Sequence, residues 1–225
     1  MSTSLNLRPG ELVEVRSEAE ILATLDATGA LDGLPFMPEM LAFCGQRLRV
    51  DKRADKACDT INYSGNRRMH DTVLLTGGRC TGQAHGGCQA GCLLFWKEGW
   101  LRRVDAGAGT NGHAPASRPP AACTRDGLLD ATRKPSSGGE VRYRCQATDL
   151  LLATSPMAWW DPRQYLRDAR SRNVRVRELL GAAGYKLFTL ALRVGGYRAL
   201  VALYNRLQTW RGGQLFPFPL ANQQR

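Results

Sequence analysis

Over the first hundred residues, apolar positions recur in short, strand-like runs. Glu11–Val15 alternates apolar and polar, the period of a half-buried strand. Arg47–Lys52, Thr72–Thr76 and Leu93–Val104 read as further strands. Asn62–Arg68, with Ser64, Gly65 and Asn66, reads as a hairpin turn. Ser17 and Glu20 have the spacing of a capping box and predict a short helix carrying Ile21, Leu22 and Leu25 on one face, ended by Gly29 and Gly33. Gly33–Cys44 reads as a loop through Pro35 and Pro38 that buries Met37, Met40, Leu41 and Phe43. Short strands joined by Gly-rich connections predict a small SH3-like β-barrel or curled sheet over residues 5–104.

The pattern then changes twice. Residues 105–139 are rich in Gly, Ala, Ser and Pro and read as a flexible linker or long loop, which makes His113 and Cys123 weak ligand positions. Residues 140–225 read as mainly helical and basic. Val141–Arg144 is a short strand. Asp161 and Pro162 mark the N-cap and first position of a helix running to Arg172, with Tyr165 and Leu166 turned inward. Further helices are predicted over Val174–Val194 and Tyr197–Trp210, separated by Gly195–Gly196. The second carries Leu200, Val201, Leu203, Tyr204 and Leu207 on its apolar side, and Gly212–Gly213 stops it. The fold class is α+β, a curled sheet followed by a helical C-terminal region.

Length and charge add limits. A chain of 225 residues fits one large domain or two small ones. Its 31 Lys+Arg against 20 Asp+Glu leave a formal charge of +11, which suits an anionic ligand, nucleic acid or membrane surface, or simply a solvated basic surface. Met1–Arg8 lacks an apolar signal region, so a cytoplasmic location is expected. The longest apolar stretch, Leu187–Leu207, is interrupted by Arg193, Gly195, Gly196, Arg198, Asn205 and Arg206, which argues against a membrane span. The helix at Arg193–Arg211 is amphipathic enough for a membrane interface, but a core role is the stronger reading. Walker, dinucleotide-binding, nucleophile-elbow and H-E-x-x-H motifs are absent from the sequence.

The chemistry concentrates in one loop. Cys80, His85, Cys88 and Cys92 fall within thirteen residues, interleaved with Gly82, Gly86, Gly87 and Gly91. In a reducing compartment seven cysteines point to metal ligands or buried thiols rather than disulfides. Glycines let a chain wrap tightly around a centre and turn amide N–H groups towards sulfur. If Arg47–Lys56 pairs antiparallel with His70–Arg79, Cys44 lies near Cys80, making it the expected fourth ligand, with Cys58 and His85 as alternates. The C-x₇-C and C-x₃-C spacings match no common zinc knuckle, so an iron–sulfur cluster, [4Fe-4S], is expected ahead of zinc. Cys145 reads as a packed small hydrophobe. A free nucleophilic thiol served by His85 or His70 is the competing chemical reading.

Several strings also carry a resemblance: Gly33–Met40 (GLPFMPEM), Phe43-Cys44-Gly45, Ala84–Cys92 (AHGGCQAGC), Phe95–Leu101 (FWKEGWL) and the opening Pro9–Val13 (PGELV). Together they resemble a bacterial family often found near polysaccharide and other biosynthetic genes. The likeness covers Leu5–Val104 and, more loosely, Tyr143–Asp168. It implies a biosynthetic role. In the family it resembles, longer members carry a degenerate second copy that keeps cysteines matching Cys44, Cys80 and one of Cys88 and Cys92, and the resemblance thereby implies Cys44 in the ligand set.

Arg163, Arg167 and Arg170 share a helical face that suits a phosphate or sulfate, although a solvated face is the simpler reading. Trp159 and Trp160 read as core or interface anchors, and no nucleic-acid-binding signature accompanies them. Two expectations result. The first is an iron–sulfur protein of bacterial biosynthetic metabolism, acting as an enzyme or electron-transfer partner on a small-molecule substrate or redox partner. The alternative is a zinc-stabilised SH3-like module that recognises an anionic partner such as nucleic acid.

Overall fold

A computed structural model describes residues 4–104, 123–135, 141–158, 160–213 and 215–216. His113 and Trp159 lie outside the described residues. The chain divides into two compact units, Met1–Asn173 and Val174–Arg225.

The first unit is built on an antiparallel sheet. Strand β1 spans Leu12–Val15, and the capping box then starts helix α1, Glu18–Leu22. The Ser17 hydroxyl accepts from the Glu20 amide at 3.4 Å, and the Glu20 carboxylate accepts from the Ser17 amide at 2.9 Å. A tight hairpin, β2 (Ala30–Leu31) and β3 (Leu34–Pro35), leads into a 3-10 helix over Pro38–Phe43. The segment expected as a loop is therefore wound, and it buries Met37 and Met40 as expected.

Strand β4 (Arg47–Arg53) pairs antiparallel with β7 (Thr72–Arg79), the pairing the sequence suggested. Between them lies more than a turn. Strands β5 (Lys56–Asp59) and β6 (Gly65–Arg68) form an inserted hairpin. The Asp59 carboxylate closes it, accepting from the Ile61, Asn62 and Ser64 amides at 3.1, 2.9 and 3.2 Å. Leu93–Val104 is not one strand. The chain turns through a 3-10 segment, Glu98–Trp100, between β8 (Leu93–Lys97) and β9 (Leu101–Arg103). The resulting order β8-β7-β4-β1-β9 makes a curled, five-stranded half-barrel.

Inside the curl, Phe36 meets Trp100 edge-on at 5.1 Å and Trp96 at 6.3 Å, while Phe43 meets Trp96 at 5.6 Å. These T-shaped contacts suit the ring quadrupoles. One buried charge completes this core. Glu98, fully buried, accepts from the amides of Leu5, Asn6 and Leu7 at 2.6, 2.9 and 2.9 Å and pairs with Arg53 at 2.7 Å.

Within the stretch expected as linker, residues 123–135 are folded. Helix α2 (Arg125–Thr132) is capped by Thr124, and it buries Leu128 while Cys123 is buried just ahead of it. Short strand β10 (Arg133–Lys134) follows and pairs with β11 (Arg142–Tyr143). Beyond them, β12 (Ser155–Pro156) pairs with β6. Helix α3, Arg163–Arg170, buries a different face from the one its sequence suggested. Tyr165 and Leu166 are exposed, while Gln164 and Asp168 are buried. The reason is electrostatic: Asp168 pairs with Lys56, and Asp161 with Arg68, so the docking face is polar. Trp160 is likewise no core anchor, being 70 % exposed.

The second unit is a helical hairpin, α4 (Val176–Gly195) and α5 (Tyr197–Arg211). Its corner is Gly196, at φ +74° and ψ 137°, a region closed to side-chain-bearing residues. Asn205 ties down the segment beyond α5 through the Phe216 backbone at 2.8 and 2.7 Å. No described side chain of α5 is buried, and Leu203 and Leu207, expected on a core face, are each about half exposed. Among the described residues no helix is long and apolar enough to cross a membrane.

Candidate metal centre

The site grows from the far end of β7. There the β7–β8 pairing jumps from Leu74↔Phe95 to Arg79↔Leu93, a wide bulge through Gly77 and Gly78 that bends the strand out of the sheet. Pairing then resumes, with the Cys80 amide donating to the Cys92 carbonyl at 2.8 Å. The two ends of the cysteine loop are thus fastened side by side. Inside the loop, Gly82 adopts φ +75°, and a Cβ there would stand 1.7 Å from the Cys88 carbonyl oxygen. Only glycine lets residues 82 and 88 approach this closely. The chain turns through a short 3-10 segment, Gln83–His85, which puts the His85 ring inside.

Three ligand atoms converge, from Glu39, Cys80 and His85, all within 4.8 Å of one another. His85 Nδ1 lies 3.2 Å from the Tyr143 carbonyl oxygen on β11. A carbonyl only accepts, so Nδ1 carries the hydrogen, and in the neutral ring Nε2 offers a lone pair. Nε2 faces Glu39 Oε1 at 3.6 Å, with the two side chains 8 % and 11 % exposed. Neither atom has a hydrogen-bond partner among the described residues. Glu39 Oε2 is held separately by the Thr81 hydroxyl at 3.3 Å. Burial, and next the neighbouring Glu39 carboxylate, push the Cys80 thiol up to about 12.

Further thiols surround this group. Burial first raises the Cys92 thiol as it does Cys80; Cys145, just past β11, lies near enough to add to both, and Cys88 adds to Cys92. Cys88 itself is exposed. The expected set of Cys80, Cys88 and Cys92 therefore sits on one loop beside His85, and Cys145 joins it. Cys44 caps the Pro38–Phe43 segment and is not in the three-atom group. Its thiol is raised by burial and then by Glu18, with Arg125 opposing, so its charged neighbours belong to α1 and α2. Cys58 is exposed on β5, opposite Asn66 in the inserted hairpin.

Sequence reasoning missed Glu39 and Cys145. Both are brought in by topology from segments remote in the chain. The one local signal was Glu39 inside the Pro-bounded GLPFMPEM string. Compared with protein-family models, curated proteins and solved structures, the chain finds no match.

Proposed function

We propose that this chain is a metal-stabilised SH3-like module whose centre takes a single ion of the zinc type on Cys80, His85 and Glu39. The observation that carries this reading is the buried pair His85 Nε2 and Glu39 Oε1, 3.6 Å apart and neither with a hydrogen-bond partner among the described residues. Two unsatisfied acceptors in a buried site cost free energy that a shared cation recovers. A histidine that donates its other ring nitrogen to a backbone carbonyl is the usual arrangement of a metal-binding imidazole. Zinc bonds of about 2.0–2.3 Å put tetrahedral donors roughly 3.5 Å apart, close to the 3.6 Å between His85 Nε2 and Glu39 Oε1, and the Cys80 sulfur lies within 4.8 Å of both. Nitrogen, sulfur and carboxylate donors together suit zinc better than an iron–sulfur cluster, which takes thiolates. Cys145 or Cys92 supplies the fourth position. The donors belong to separate segments, so the ion acts as a cross-link that fixes the cysteine loop against the half-barrel. The family resemblance adds a place in bacterial biosynthetic metabolism.

The expected iron–sulfur cluster stays as a second reading on one specific observation, that Cys145 lies near enough to act on both Cys80 and Cys92, and Cys88 on Cys92. Metal analysis of protein purified without oxygen separates the two. One zinc per chain, lost in His85→Ala and Cys80→Ala but kept in Cys44→Ala, supports the single-ion centre. Iron with sulfide, lost in Cys88→Ala and Cys145→Ala but kept in His85→Ala, sinks it in favour of the cluster.

A further inference from the structure

At the opposite end of β7 from the metal centre lies a basic pocket of about 570 Å³. Its walls carry Arg8, Arg53, Arg68, Arg167 and Arg170, with His70 beside them. Two carboxylates, Asp55 and Asp71, are among the lining residues; Arg53 is matched by Asp55 at 3.1 Å and by buried Glu98 at 2.7 Å. Arg8, Arg167 and Arg170 have no acidic partner among the described residues. Arg68 reaches Asp161 only at 3.6 Å, and its Nε is a buried donor with no acceptor among the described residues.

The fold holds these groups in place. Helix α3 is fixed to the sheet by Asp168 on Lys56 and by the Asn173 side chain, which takes the Arg53 amide and gives to the Arg53 carbonyl, each at 2.9 Å. Arg167 and Arg170, one turn apart on its outer face, then line the pocket from one side. Arg53 lines it from the other, fixed by Glu98 at 2.7 Å. Like-charged guanidiniums gathered around a cavity repel one another, and a buried N–H without an acceptor adds to that cost. The repulsion is removed by a ligand with several acceptor oxygens and a negative charge. The Arg fork suits phosphoryl oxygens.

We infer that this pocket binds a small molecule through its phosphoryl group. The volume is that of a pocket for an organic ligand rather than for a bare ion, so the phosphoryl group occupies the Arg68–Arg167–Arg170 side and the remainder of the ligand fills the rest. The sequence offered Arg163, Arg167 and Arg170 as a candidate anion site, with a solvated face as the simpler reading. The structure places Arg167 and Arg170 on the pocket wall and Arg163 away from it. This assignment does not rest on the metal centre.

Calorimetric titration of the full chain with inorganic pyrophosphate, at low salt, tests the inference, with zinc content measured on the same samples. Saturable one-to-one binding is expected, weakened at least tenfold in Arg167→Gln/Arg170→Gln and in Arg8→Gln and unchanged in Arg163→Gln. The first pair is exposed, and an unchanged circular dichroism spectrum confirms the fold. Lack of saturable binding by the wild type overturns the inference, as does equal binding by the variants. Tight binding of a short single-stranded RNA that pyrophosphate does not displace also overturns it, and identifies a polyanion surface instead.

Discussion

Glu98 shows what a single buried charge does in this fold. Its carboxylate gathers three amides of the N-terminal segment and the Arg53 guanidinium in the interior. Glu98→Gln puts an amide N–H₂ against donors and leaves Arg53 with Asp55 alone. Removing one partner of a buried pair destabilises by about 3–5 kcal/mol. We expect the urea midpoint to fall accordingly with an unchanged slope. A change below about 1 kcal/mol would show that the N-terminal segment is not held this way. Nothing in the sequence marked this role, because a Glu in FWKEGW reads as a surface residue until the chain's other end is placed on it. His85 is the contrasting case. Its place beside the cysteines was legible as an alternate ligand position, since cysteines and glycines close in sequence remain close in space. Glu39 and Cys145 were not, since only the register of β7 and β11 brings them near.

At the scale of elements, the strands were readable wherever apolar and polar residues alternate, as in Leu12–Val15 and Arg47–Arg53. Reading failed where a side chain overrides the local pattern. Asp59 closes an inserted two-stranded hairpin where only a turn was expected, and Asp168 turns the polar face of α3 inward. The cysteine loop obeys a backbone constraint instead. With a Cβ at residue 82 placed 1.7 Å from the Cys88 carbonyl oxygen, Gly82→Ala must push the two sides of the loop apart. The variant should keep the half-barrel's near-ultraviolet aromatic signal from Trp96 and Trp100 and lose zinc affinity at least tenfold in a chelator competition. Wild-type affinity would mean that the loop's close approach plays no part in holding the ion.

For the whole molecule, the proposed metal centre carries an expectation of pH-dependent stability, with opposite signs for the metal-free and metal-bound forms. Without metal, the Cys80 thiol is raised to about 12 by burial and by Glu39, and Cys44, Cys92 and Cys123 are raised too, in each case first by burial. An unfolded thiol titrates near about 8.5. Between that value and the raised one, the folded chain binds more protons than the unfolded chain, so stability falls as pH rises through the window. With metal the order reverses. The ion displaces the Cys80 proton, binding strengthens with rising pH, and the binding free energy adds to folding stability. The melting temperature of chelator-treated protein should therefore fall from pH 8 to 10, while the gap to zinc-reconstituted protein widens steadily from pH 6 to 9. Parallel curves for the two forms would show that no thiolate is bound to the ion. A widening gap that persists in Cys44→Ala and vanishes in Cys80→Ala ties the linkage to the end of β7, where the bulge, the glycine loop and the two facing acceptors meet.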